Sequence, residues 1–214
     1  MNTVLFSVRH GETEWNLTGQ QQGHQDSPLT DLGIEQAHAL AAGLENKDIN
    51  IIYSSDLKRA YHTAEIIAET LNLNIHTDKR LRERHLGLMQ GLDKKAFTDK
   101  YPQHARHLKK NSDYVIPGGE SACQHFKRCI NCAENIAATE IGKRVLIVTH
   151  GGVLCNYFYK ALNISLSEPR HFSLYNACIN CFSILKDHWR LDTWGDTSHF
   201  ANRNMLSDTV ESFV

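Results

Sequence analysis

The sequence has 214 residues, 41% of them hydrophobic and 22% charged, and a formal net charge of −1 when its 13 histidines are neutral. That balance suits a globular chain with its own core and excludes a disordered or fibrous one. A near-zero charge gives no broad basic field for nucleic acid or an anionic membrane, and no apolar run approaches the ~18 residues of a membrane span.

Met1-Asn2-Thr3 carries no basic stretch or cleavage-site pattern, so Val4 to Val8 reads as a first strand and not a signal peptide, and the cytoplasm is the expected compartment. That strand is apolar except at Ser7, the pattern of a strand covered on both faces. Thr30 is placed to cap a helix running to about Leu44, with Ala37, Leu40, Ala41 and Leu44 on one face. Ile49 to Tyr53 forms a second strand. Asp56 then caps a helix whose inward stripe is Leu57, Ala60, Ala64, Ile67, Ala68 and Leu71. Asn74-Ile75-His76 reads as a third strand. From Arg80 to Pro117 the chain is more polar and irregular, with one helix expected near Lys94 to Lys109. Pro117-Gly118-Gly119 breaks it before a helix that ends near Thr139. Arg144 to Val148 is a strand buried on both faces, and Gly151-Gly152 opens another helix. Cys178 to Leu185 and His188 to Trp194 read as a hairpin turning at Lys186-Asp187. Alternating strands and helices predict a three-layer α/β/α sandwich around a mostly parallel sheet. No linker or repeat divides it, so residues 1–214 are expected as one domain, with 80–118 as a lid-like excursion.

The six cysteines lie on apolar faces and are expected as free buried thiols. Cys129/Cys132 and Cys178/Cys181 have CxxC spacing. The first pair shares a helix face, but residues three apart in a strand point to opposite faces, which argues against a common metal.

Three strand ends carry the chemistry. The first runs into Arg9-His10-Gly11-Glu12-Thr13, the second into Ser54-Ser55-Asp56-Leu57-Lys58-Arg59-Ala60, and the fourth into Thr149-His150-Gly151-Gly152. Ligands of open α/β sheets sit outside the carboxyl ends of the strands, so Arg9, His10, Arg59 and His150 are predicted to converge. Guanidinium forks grip phosphate oxygens, and a histidine serves as nucleophile or as donor to developing charge.

On these residues the chain resembles the histidine phosphatase superfamily, the phosphoglycerate-mutase-like group, in its small bacterial-type phosphatase branch. The likeness extends through Trp15-Asn16, Gln22-Gly23, Asp26 to Thr30, Gly33, Gln36-Ala37, Thr63-Ala64, Leu81 to Gly87 and Pro117 to Ser121. It implies that His10 takes the phosphoryl group as phosphohistidine. Arg9, Arg59 and His150 then hold the phosphoryl oxygens, Asn16 adds a hydrogen bond, and Gln22, Gly23 and Gly151 belong to the phosphate-binding lining. Glu83 is the implied general acid and base, and a raised pKa is expected of it. His10 must be neutral where it attacks, with its other nitrogen on an acceptor such as the Gly11 carbonyl. No metal is implied, because the arginines supply the positive charge. His24 and His85 border the pocket in relatives and are candidates to touch substrate, whereas His104, His107 and His125 are expected at the surface or in the lid.

The implied substrate is a small phosphorylated metabolite, with neither nucleic acid nor membrane as partner. Oligomeric state, a homodimer included, is open. A cofactor-dependent phosphoglycerate mutase is the alternative, and Glu83 to Lys94, with Gln90, resembles the mutase stretch. Under that alternative 2,3-bisphosphoglycerate is required; otherwise no cofactor is. The short segment between Gly91 and Gly119 favours the phosphatase, since a shorter lid admits water. A catalytically silent phosphometabolite-binding protein is the third reading.

Overall fold

The structure, a computed structural model, describes residues 2–186 and 188–207. Its centre is one six-stranded sheet formed by β1 (Thr3–Arg9), β2 (Ile51–Ser54), β3 (Ile75–Thr77), β4 (Arg144–Thr149), β5 (Ile179–Ile184) and β6 (Trp189–Asp196), in the order β3-β2-β4-β1-β5-β6. β1 pairs in parallel with β4, and β2 with both β4 and β3; β5 alone runs against its neighbours. The expected mostly parallel sandwich is the observed one. Among the described residues no helix is long and apolar enough to cross a membrane.

Side-chain alternation along the central strands builds two cores. Leu5, Val145 and Ile147 face α6 (Ala122–Thr139) and α7 (Gly151–Leu162), meeting Cys129, Ile136, Val153 and Tyr157. Phe6, Val8, Leu146 and Val148 face α2 (Asp31–Leu44) and α3 (Lys58–Leu71), meeting Leu40, Leu44, Ala60 and Ile67. Each large apolar side chain so buried contributes about 1.5–3 kcal/mol against exposure. Thr30 caps α2 by accepting the Gly33 N–H at 2.9 Å, and Ser121 caps α6 in a reciprocal box with Gln124. The six cysteines are free thiols, and Cys178 and Cys181 fall on opposite faces of the sheet.

Two expectations need correction, and one further element carries no sequence signal of its own. Asp56 does not cap α3. Its carboxylate is taken by Arg82, whose Nε donates at 2.6 Å, and Asp26 from a distant loop accepts the Lys58 N–H at 2.9 Å in its place. The single helix expected at Lys94 to Lys109 is two, α4 (Lys94–Lys100) and α5 (Pro102–Lys110). Pro102 disfavours helical geometry at the residue before it, and Tyr101 sits at φ −133°, ψ 57°. A five-residue helix, α1 (Glu14–Thr18), follows β1 with no apolar stripe to announce it, held by a box between Thr13 and Asn16. Of the expected hairpin turn, Asp187 lies outside the described residues; the Leu185 N–H donates to the His188 carbonyl. Met89, Phe97, Ala105, Leu108 and Ile116 form a third, smaller apolar cluster within the 80–118 excursion.

Candidate active site

The carboxyl ends of β1, β4 and β2 lie side by side, and the chain leaves them as Arg9-His10, Thr149-His150 and Ser54-Ser55. The rings of His10 and His150 stand 5.3 Å apart, edge to face, and both residues are buried together with Arg9 and Arg59. The four residues expected to converge do so.

His10 Nδ1 lies 2.7 Å from the Gly11 carbonyl. A carbonyl only accepts, so Nδ1 carries the proton and Nε2 keeps its lone pair. Burial, then the Arg59 and Arg9 guanidinium groups, hold His10 well below the ordinary histidine pKa. His10 Nε2 is thus a neutral nitrogen with its lone pair available. Gly11 is fixed in turn: its N–H donates to Thr63 Oγ1 at 3.1 Å, and a Cβ on it would lie 2.3 Å from the Gly33 carbonyl oxygen. That close approach of loop to helix explains both glycines. Glu12 braces the same loop, its N–H donating to Gln36 Oε1 at 2.8 Å and its carboxylate accepting from Thr30 at 2.9 Å.

Arg9 Nη1 donates to the Leu174 carbonyl at 2.9 Å. Arg59 is anchored by the Gly23 carbonyl (2.8 Å), the Gln25 carbonyl (2.9 Å) and Asp26 (2.7 Å). Gly23 therefore orients an arginine through its carbonyl. Gln22 bonds Thr13 at 2.8 Å and Ser27 at 3.4 Å, bracing the loop that carries Asn16. Asn16 is buried, and its Oδ1 accepts from the Thr13 N–H, the Thr13 hydroxyl and Asn176. Its amide nitrogen is then the group it has for donation. Gly151 packs 3.6 Å from Arg9 Nε through the position a Cβ would take.

His150 Nε2 lies 2.8 Å from Ser55 Oγ, which also accepts the Leu57 N–H. A hydroxyl donating to Nε2 places the ring proton on Nδ1, a buried atom with no hydrogen-bond partner among the described residues. Burial, Arg59 and His10 depress the His150 pKa as well. His150 thus holds a buried, neutral ring N–H beside His10.

Glu83 is buried. Its carboxylate accepts the Arg84 N–H at 2.7 Å and, at the start of α7, the Gly152 N–H at 2.9 Å. Beside it opens a narrow cleft whose lining includes Leu86, Met89, Tyr159, Arg84 and Arg170. His125 corrects the expectation of a surface residue: it is buried, lines this cleft, and its Nε2 lies 3.7 Å from Glu83 Oε1. Burial, with Arg128 and Arg84 nearby, holds it neutral. The rings of His24 and His85 lie against each other at a tilt of 53°, 4.4 Å between centres, and neither lines the cleft. His24 Nε2–H donates to the Glu83 carbonyl at 2.9 Å, and its N–H to Gln90 Oε1 at 2.7 Å. Gln90 thus serves the main chain of His24.

With this geometry in view, a family comparison decides the grouping: residues 5–197 match the model of the histidine phosphatase superfamily, branch 1. The chain belongs to that superfamily. It is 39% identical over 207 residues to phosphoglycerate mutase-like protein 4 of Arabidopsis thaliana, covering 94% of this chain and 89% of that protein. It is 38% identical over 208 residues to a metal-independent phosphoserine phosphatase of the same plant, covering 95% and 86%. Among solved structures, a mycobacterial glucosyl-3-phosphoglycerate phosphatase superposes with a TM-score of 0.79 at 31% identity, over 92% of this chain and 100% of that one.

Residue type and place in a strand end locate Arg9, His10, Arg59 and His150 in this histidine phosphatase. They do not locate Ser55, whose hydroxyl is one of two adjacent serines, or Asp26, which acts across a loop. His125 left a trace: it shares the helix stripe of Cys129, Cys132 and Ile136, hidden between Gln124 and Lys127.

Proposed function

We propose that the protein is a phosphomonoesterase that hydrolyses a small phosphorylated metabolite through a phosphohistidine on His10. The observation that carries this reading is the His10 Nδ1–H bond to Gly11, which leaves a neutral Nε2 beside two buried arginines and the Nδ1 of His150, which has no hydrogen-bond partner among the described residues. In the first step His10 Nε2 forms a bond to phosphorus as the bond to the ester oxygen breaks, and Glu83 gives that oxygen its proton. Arg9, Arg59, His150 and Asn16 hold the equatorial oxygens, so positioning and charge stabilisation do most of the work, with the positive charge drawn from guanidinium groups and not a metal. In the second step Glu83 takes a proton from water as it attacks phosphorus; the N–P bond breaks and inorganic phosphate leaves. Glu83 Oε1 accepts the Arg84 N–H and Oε2 the Gly152 N–H, which fixes the carboxylate that carries the travelling proton.

The alcohol of the substrate occupies the cleft beside Glu83. Its apolar walls and its two guanidinium groups suit a small organic phosphate that carries a second anionic group. A phosphatase reading is supported by two of the similar proteins, which are named as phosphatases.

The test is His10→Ala with a panel of phosphate esters in the presence of EDTA, together with phosphohistidine detection after an alkaline quench. Hydrolysis should fall to background and the phosphohistidine should disappear. Unchanged hydrolysis would overturn the mechanism. Isomerisation of 3-phosphoglycerate that depends on 2,3-bisphosphoglycerate and exceeds hydrolysis would put the mutase in its place.

A further inference from the structure

Glu83 stands on a segment with little secondary structure of its own. A single 3-10 turn, Lys79–Leu81, precedes it, and Arg82 to Leu86 are irregular. Proton transfer to a leaving oxygen needs hydrogen-bond reach, about 2.6–3.2 Å between heavy atoms, so something must hold this strip of chain to within fractions of an ångström. The N–H groups of Arg84 and Gly152 hold the carboxylate. The main chain beneath it is held at the Glu83 carbonyl by His24 Nε2–H at 2.9 Å and, over a longer stretch, from α6 by the guanidinium group of a single side chain.

That side chain is Arg128. Its Nη1 donates to the carbonyls of Arg80 (2.8 Å) and Arg82 (2.9 Å), and its Nη2 to the carbonyl of Glu83 itself (3.2 Å). Three carbonyls within four residues therefore end on one guanidinium group. The remaining donors go to Glu120: Nη2 pairs with Oε1, and Nε reaches Oε2 at 3.2 Å. Glu120 grips the far side of the same segment, its Oε1 accepting the His85 N–H and its own N–H donating to the His85 carbonyl, each at 2.9 Å. Arg128 and Glu120 thus bracket Glu83 from both directions along the chain, and Arg128 itself is not part of the cleft lining.

We propose that Arg128 is a positioning residue for proton transfer by Glu83, an inference that rests on the reading of Glu83 as general acid. A planar fork with five N–H donors spans three carbonyls and a carboxylate at once. A lysine ammonium, a single nitrogen on a flexible stem, keeps the pair with Glu120 and gives up the carbonyl array. Loosening that array moves the acid and leaves Arg9, His10, Arg59 and His150 where they are.

The reaction offers a readout that separates this role from general support of the fold. An aryl phosphate such as p-nitrophenyl phosphate expels a leaving group that needs no proton, whereas ethyl phosphate needs one. The quantity to follow is kcat/KM, which reports the transfer to His10 and is insensitive to the later attack of water. For Arg128→Lys, kcat/KM with ethyl phosphate should fall about 30-fold while that with p-nitrophenyl phosphate falls less than about 3-fold, within the span of general acid catalysis. Arg128→Met should widen the gap further; if it does not fold, the lysine variant decides alone. Equal losses on both esters would mean that Arg128 only supports the fold, and would overturn the proposal. Glu83→Gln measured on the same two esters separates the failures. If it discriminates between them and Arg128→Lys does not, positioning by Arg128 is wrong and the acid stands. If Glu83→Gln lowers both alike, the acid assignment falls, and this proposal falls with it.

Discussion

Replacing Gly152 with alanine would place a Cβ 2.3 Å from Glu83 Oε1 and 3.1 Å from both Glu83 Cδ and His125 Cε1. Ordinary contacts for such a carbon begin at 3.4 Å, so the Glu83 carboxylate must retreat by about 1 Å. The atom in the way is the end of a side chain and not main chain, and the added methyl sits in the first turn of α7. Alanine gains up to about 1 kcal/mol over glycine inside a helix, so the melting temperature should hold or drop only slightly. Activity is a different matter, because an error of about 1 Å in the placement of a reacting group lowers rates by about 100-fold. Gly152→Ala is therefore expected to lose about two orders of magnitude in kcat/KM on alkyl phosphates and much less on p-nitrophenyl phosphate, with the fold intact by circular dichroism. Two results would refute the reasoning. Full alkyl phosphate turnover would show that Glu83 is not used where it lies, and a collapse of the melting temperature would show that the glycine serves the packing of α7.

Ser55→Ala removes the partner of His150 Nε2 and with it the control of the ring proton. Turnover should fall about 10-fold and equally for good and poor leaving groups, since orienting partners of this kind typically account for 10–100-fold; a loss confined to poor leaving groups would contradict the assignment of His150 to the phosphoryl oxygens. The three buried histidines, His10, His125 and His150, make stability depend on pH. Each has its pKa depressed in the folded state, chiefly by burial, so the unfolded chain binds protons first as pH falls below about 6.5. Urea unfolding should therefore show full stability near pH 7.5 and a progressive loss toward pH 5, up to about 1.4 kcal/mol per pH unit for each histidine, and His125→Gln should flatten that slope. A slope unchanged in His125→Gln would show that this histidine is not held neutral.

Much of this was open to reading in the chain itself, for identifiable reasons. Strands buried on both faces leave continuous apolar runs, and polar residues at the ends of three such runs, Arg9-His10, Arg59 and His150, stand out against them. The His10 tautomer followed from chemistry alone, because a nucleophilic nitrogen needs its partner nitrogen engaged. What stayed hidden depends on contacts between distant segments. Asp56 looked like a cap until Arg82, 26 residues on, claimed its carboxylate. Gly152 reads as a helix opener, and only the arrival of Glu83 shows why a side chain is not tolerated there. The break at Pro102 was legible, since a proline constrains the residue before it, and a helix drawn through it ignored that signal.

The placement of β1 bears on how the protein is made. The strand that delivers His10 lies between β4 and β5, pairing Val4 with Arg144 on one side and with Ser183 on the other. The His10 carbonyl is held by the Asn176 side chain, 166 residues further along. During synthesis, then, β1 waits for β4 before one of its edges is covered and for β5 before the other is. Pairings so distant in sequence form slowly, and an apolar strand with open edges is prone to stick to other chains meanwhile. No nascent fragment that stops short of β5 has the strand that delivers His10 clamped on both sides, so the site is completed only late in the life of the growing chain.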